Sequence, residues 1–190
     1  LQEMLPSIPF IGEEAKAAQN CDCIGDSEYF WLVDPLDGTK EFISGGGQYT
    51  VNIALVKNGQ PFIGVVYAPY QGELYSGHGK DTATLWREES GKEKHIRVRS
   101  MPKEGLTVLA SKSHGCPRRL ETFLEGFKVN KVIRRGSSLK VCAIAAGKAD
   151  LYARFGYTCE WDTAAAHAVL RSAGGFMTDA KTGHEITYGH

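Results

Sequence analysis

The four residues Lys57-Asn58-Gly59-Gln60 most constrain what this chain can fold into. Asn-Gly is a strong signal for a two-residue hairpin, because both central residues of the favoured turn take a positive φ. Here it separates two β-prone runs, residues 49–56 and 62–68, which should therefore pair antiparallel. The pattern extends on both sides. Residues 8–11 read as a short strand, and residues 73–76 and 83–87 continue a meander. The apolar run 29–33 reads as a buried strand ending at Asp34-Pro35, where proline removes a donor and restricts the residue before it. Residues 88–94 are charged and read as exposed.

After about residue 100 the pattern alternates. Strands are expected at 106–110, 131–134 and 150–155, with helices at 116–126 and 137–146, the latter closed by Gly147. An Ala-rich helix is expected at 162–173, with Asp162 as its N-cap and Gly174-Gly175 beyond its end. A run of strands followed by alternating elements predicts two α/β halves, 1–99 and 100–190, joined near residues 98–105. There is no internal repeat.

Composition narrows the function classes. Of 190 residues, 42% are hydrophobic, enough for a sizeable core. Lys+Arg and Asp+Glu balance at 22 each, which gives no case for a nucleic-acid surface. No apolar run approaches the ~20 residues that span a bilayer. Leu1-Gln2-Glu3-Met4-Leu5-Pro6 lacks the basic and apolar regions of a signal peptide, and without Met at position 1 the chain reads as missing its first residues. The cysteines, Cys21, Cys23, Cys116, Cys142 and Cys159, are odd in number and scattered. They suit reduced thiols better than a disulfide framework, and Cys21-Asp22-Cys23 has no second pair to complete a zinc site.

The chemistry concentrates in Asp34-Pro35-Leu36-Asp37-Gly38-Thr39. Two carboxylates on a bent loop can converge on one hard cation, and the Leu36 carbonyl can turn toward the same ion. Gly38 lets backbone N–H groups approach an anion, and Thr39 adds a hydroxyl. A helical turn starting at Lys40 would favour phosphate further. Read alone, the segment is a turn more readily than a metal site, because Asp, Pro and Gly are common turn residues. Glu13-Glu14 after an apolar strand, and Asp162 at the start of a helix, are each ordinary on their own.

Together, Phe10-Ile11-Gly12-Glu13-Glu14, the Asp34–Thr39 block and Trp161-Asp162-Thr163-Ala164, closing on Gly174-Gly175, resemble the signature set of the inositol monophosphatase superfamily. The extended string from Trp31 to Phe42 is most similar to its bacterial 3′(2′),5′-bisphosphate nucleotidase branch. So are residues 49–55, residues 64–69, Ser111-Lys112-Ser113-His114, Gly136-Ser137-Ser138-Leu139-Lys140 and residues 151–155. The resemblance implies an αβαβα sandwich and a Mg2+-dependent, Li+-sensitive phosphatase with two or three ions. It implies removal of the 3′-phosphate of adenosine 3′,5′-bisphosphate to give AMP. It also implies a cytoplasmic monomer or homodimer, at most peripheral to the inner membrane. Since the family begins with two helices and continues past the last residues here, the chain is expected to be truncated at both ends.

Carried over residue by residue, the resemblance makes Glu13, Asp34, the Leu36 carbonyl, Asp37 and Asp162 metal ligands. Asp37, Gly38, Thr39 and Asp162 would meet the substrate, while Thr39 and Glu13 would orient and deprotonate the attacking water. His114, Ser137, Lys140 and Arg154 would lie toward the nucleotide. Each has a plainer alternative: a surface histidine, a helix cap, a solvated lysine and a structural ion pair. Arg134-Arg135 reads as a solvated basic pair, and His167 as a core or interface residue. No Cys-x5-Arg loop offers a phosphocysteine route. The runner-up functions are an inositol monophosphatase or sugar bisphosphatase, then a non-catalytic nucleotide sensor, then a structural interaction module.

Overall fold

The computed structural model describes residues 1, 3–14, 24, 27–112 and 116–190. Seven strands form one mixed sheet in sequence order: β1 Phe10–Gly12, β2 Tyr29–Asp37, β3 Thr50–Lys57, β4 Gln60–Ala68, β5 Glu73–Gly77, β6 Thr84–Arg87 and β7 Lys92–His95. The β3–β4 hairpin turns on Asn58 (φ 48°) and Gly59 (φ 72°), as the Asn-Gly pair predicts. Within this sheet, among the described residues, only the β1–β2 pair is parallel, with Gly12 opposite Val33.

In this sheet, β2 and the charged stretch differ from expectation. β2 does not end at Asp34-Pro35: pairing with β3 lapses after Asp34 and resumes where Asp37 meets Thr50. Proline sits in the irregularity, where its missing N–H costs no ladder bond. Within the charged stretch, Lys92–His95 pairs with β6 as an edge strand, all four residues exposed. Backbone bonds hold it, and its charges discourage further pairing at that edge.

The second sheet is wholly parallel, in the order β10-β8-β9: β8 Leu106–Ser111, β9 Val129–Arg135 and β10 Leu151–Tyr152. The last is shorter than the expected 150–155. Helices within the described residues include α1 Thr39–Ile43, α2 Pro117–Leu124, α3 Leu139–Ala145 and α4 Glu160–Ser172. Cys159, not Asp162, is the N-cap of α4, and Asp162 is the third helical residue.

Alternation along β2 and β3 decides what faces the helices. Phe30, Leu32, Ala54 and Val56 point into the main core with Trp161, Ala164, Ala165 and Val169 of α4. Trp31, Val33 and Leu55 point to the opposite face. Helix α4 lies very close on the sheet because the sheet offers glycine beneath it. A Cβ on Gly64 would overlap the Ala165 carbonyl oxygen, and one on Gly77 would come within 2.7 Å of the Ser172 side chain. Helix α3 sits between α4 and the small sheet: Cys142 and Ala145 join the main core, while Ala143 packs with Leu109 and Ala149.

The following segment clasps α4. His167 is fully buried, 2.9 Å from the Tyr188 hydroxyl and 3.3 Å from Glu185. Burial pushes its pKa down to about 4, so it is neutral near pH 7. Glu160 accepts from the Gly189 and His190 N–H groups. No helix among the described residues is long and apolar enough to cross a membrane. Cys116, Cys142 and Cys159 are free thiols; Cys21 and Cys23 lie outside the described residues.

Candidate active site

The period-2 pattern that builds the core also builds the site. The inward stripe Phe30–Leu32 continues into Asp34, and the stripe Val56–Ala54 on β3 continues into Asn52 and Thr50. All three polar residues are at most 1% exposed. Asp34 folds back so that its Oδ1 accepts the Leu36 N–H at 2.9 Å, which shapes the bend. Parallel pairing of β1 with β2 sets Glu13, just past Gly12, beside Asp34.

Asp37 is fixed by donors that all address one oxygen. Its Oδ2 accepts from the Ser138 N–H at 2.6 Å, the Ser138 hydroxyl at 3.1 Å and the Thr50 hydroxyl at 3.4 Å. Asp162 is held similarly: its Oδ2 accepts from the Thr158 hydroxyl at 2.9 Å and the Cys159 N–H at 3.1 Å. In each case Oδ1 is left clear of these donors.

Gly38 follows with φ 94°. A Cβ there would lie 2.9 Å from the Gln48 carbonyl oxygen, so the turn into α1 accepts only glycine without strain. Thr39 begins α1 and donates to the Leu36 carbonyl at 3.3 Å.

The carboxylates feel one another. Burial, reinforced by the charge of Asp37, pushes Asp34 up to about 8. Burial and Asp162 raise Asp37, against the pull of Lys140 and the Ser138 hydrogen bonds. Burial and Asp162 also raise Glu13, although its hydrogen bond with Asp34 works the other way. Among the described residues, no group of three or more His, Cys, Asp or Glu side chains is already drawn close enough to hold a metal ion. The set nonetheless fits a hard cation: its donors are oxygens, they repel one another, and a positive ion between them would remove that repulsion.

This repulsion has a pH signature. In the folded chain without metal, Asp34 keeps a proton between pH 3.8 and about 8 that the unfolded chain has released. The native state then binds more protons, so the Asp34 contribution to stability falls as pH rises through that window. In chelator, Asp34→Asn should gain stability over the unsubstituted chain as pH rises from about 4 to about 8, with no further gain above. Thermal melts check this, and an advantage that shrinks with pH would contradict it.

The small sheet brings the other predicted residues alongside. Its order reverses direction at β8, and such switch points at strand C-terminal ends form ligand crevices. Ser111, Arg134, Tyr152, Arg154 and Phe155 line a small cavity of about 20 Å³ there, with room for one water. Arg154 joins this crevice to the carboxylates: it donates to the Tyr157 carbonyl at 2.7 Å and lies 4.0 Å from Asp162. Arg134 is exposed and donates to the Ser111 carbonyl. Lys140 is 4% exposed, so its environment is not that of a solvated surface lysine. Its Nζ donates to the Ser137 carbonyl at 2.6 Å and lies 5.2 Å from the Tyr152 ring centroid. Burial lowers its pKa to about 8. His114 lies outside the described residues.

Ser138 and Asn52 were not among the predicted site residues. The signal was present for Asn52: alternation puts it on the core face, and a buried amide must find a partner. Its Nδ2 donates to the Ser138 hydroxyl at 3.0 Å.

The family model for the inositol monophosphatase family matches residues 1–190. The 3′(2′),5′-bisphosphate nucleotidase CysQ of Buchnera aphidicola is 44% identical over 184 residues, which is 96% of this chain and 66% of the relative. CysQ of Escherichia coli K12 is 43% identical over 180 residues, 94% of this chain and 70% of the relative. The crystal structure of CysQ from Bacteroides thetaiotaomicron, a bacterial member of the inositol monophosphatase family, matches with a TM-score of 0.73 at 34% identity. It covers 91% of this chain and 69% of that one. The mixed sheet, helices and second sheet are the α/β sandwich of these neighbours. The chain spans about two thirds of the length of the relatives it matches.

Proposed function

Because this chain belongs to the inositol monophosphatase family, we propose that it is a Mg2+-dependent phosphatase that removes the 3′-phosphate of adenosine 3′,5′-bisphosphate, leaving AMP. What supports the reaction class is that Glu13, just past β1, Asp34 and Asp37 on β2, and Asp162 on α4 bear on one another electrostatically beside a glycine turn. The nucleotide substrate comes from the names of the bisphosphate nucleotidases that this chain resembles.

Glu13, Asp34, Asp37, Asp162 and the Leu36 carbonyl would hold the ions. Bound Mg2+ supplies acidification of a water and stabilisation of charge on the phosphoryl and leaving oxygens. The chain's own residues do the positioning. The Gly38 turn brings backbone N–H groups toward the phosphate at the start of α1. The Thr39 hydroxyl, which donates to the Leu36 carbonyl, would orient the nucleophilic water toward the phosphorus. Glu13 would take up that water's proton. Arg154, Ser137, Lys140 and His114 would address the nucleoside and its second phosphate, with Lys140 acting from a buried position. Li+ would inhibit by competing for the same carboxylates.

A substrate panel tests this. Phosphate release from adenosine 3′,5′-bisphosphate should exceed release from inositol 1-phosphate or a sugar bisphosphate at equal concentration. Preference for inositol 1-phosphate would move the assignment to the monophosphatase branch. Nucleotide binding without phosphate release would favour a sensor.

A further inference from the structure

We infer that Ser138 is a positioning residue that fixes the orientation of Asp37 and couples it to the helix carrying Asp162. The inference rests on the reading of these carboxylates as cation ligands. The Ser138 hydroxyl lies 3.1 Å from Asp37 Oδ2 and 2.9 Å from the Asp162 carbonyl oxygen. A serine has one proton to donate and two lone pairs to accept with. Asn52 Nδ2 occupies the accepting side, which confines the proton to Asp37 and Asp162. One proton is therefore shared between a side chain on the large sheet and the first turn of α4.

The backbone around Ser138 is built to hold it there. Ser137 stands at φ 48°, a conformation that non-glycine residues rarely adopt. Its carbonyl takes the buried Lys140 Nζ at 2.6 Å. The Gly136 N–H donates to Gln48 Oε1 at 2.8 Å, and a Cβ on Gly136 would lie 2.9 Å from the Gln48 carbonyl oxygen. This turn drives the Ser138 N–H onto Asp37 Oδ2 at 2.6 Å. With Oδ2 committed, Oδ1 is the oxygen presented to a cation. Ser138 is 5% exposed and Asn52 0% exposed, so water cannot readily replace either partner.

Groups that orient metal ligands typically change metal affinity by about 10–100-fold when removed. Calorimetry should show the Mg2+ Kd of Ser138→Ala raised by about tenfold or more. The rise in Tm on adding Mg2+ should shrink with it. Ser138→Thr, which keeps the hydroxyl, should hold the Kd within about threefold of the unsubstituted chain. Asn52→Leu is a second variant that does not depend on Ser138→Ala folding well. Asn52 Oδ1 has no hydrogen-bond partner among the described residues, so this change removes an unsatisfied buried oxygen together with the donor that pins the Ser138 hydroxyl between Asp37 and Asp162. It too should raise the Kd. A lowered Tm with unchanged Mg2+ Kd in both variants would mean a merely structural role and overturn the inference. An unsubstituted chain that takes up no Mg2+ would instead overturn the metal-site reading beneath it.

Discussion

Asp37→Asn should lower phosphate release by roughly a thousandfold, about 4 kcal/mol of transition-state stabilisation, while leaving the fold intact. The geometry makes the amide worse than a neutral copy of the acid. Three donors converge on Oδ2, so the carbonyl oxygen of asparagine must turn to that side. Its NH2 group then occupies the position of Oδ1 and points two donors at the cation. The fold should tolerate the change, because burial and Asp162 already disfavour the charged form of Asp37. In chelator the variant should melt at the same temperature as the unsubstituted chain or higher. Near-normal turnover at saturating Mg2+ would remove Asp37 from the site.

Gly64→Ala should destabilise the chain by about 3 kcal/mol, at the upper end of ordinary overpacking. For a domain of this size that lowers Tm by roughly 6–12 °C. The added methyl overlaps the Ala165 carbonyl oxygen and would lie 2.7 Å from the Ala168 Cβ. Backbone cannot rotate away as a flexible side chain can, so α4 must lift from β4. Asp162 sits in the first turn of that helix, so lifting it should also weaken Mg2+ binding. Gly46→Ala is the control: its nearest neighbours would lie 3.4 Å from the new Cβ, an ordinary contact, and Tm should move by less than about 2 °C. Equal melting of the two variants would contradict the close helix-to-sheet packing.

These predictions show which features could be read from the sequence. The β3–β4 hairpin was legible because its turn needs two residues of positive φ, and Asn58-Gly59 supplies them locally. The carboxylates were legible as a set because three short motifs fall in a familiar order. The continuation of β2 was not. Proline looks like a terminator in one dimension, yet β3 offers a partner to Asp37 on its far side. Nor was β7 legible, since an edge strand exposed along its whole length has no alternation to read.

The Ser138 network was hidden for a different reason. Asp37 and Ser138 are 101 residues apart in sequence, and Asn52 and Ser138 are 86 apart. No local pattern announces such pairings; they follow only once both sheets are in place. Lys140 shows the same limit. At one helical turn's spacing from Ser137 it can be read as solvated, but packing against Tyr152 and the Ser137 carbonyl buries it.

The central claim is that Glu13, just past β1, and the carboxylates of β2 and α4 act together as a cation-dependent phosphatase site. Phosphate release from adenosine 3′,5′-bisphosphate, measured with Mg2+, with chelator and with Li+ added to Mg2+, tests it most directly. The account predicts release with Mg2+, none above background in chelator, and inhibition by Li+. Release that persists undiminished in chelator would contradict it.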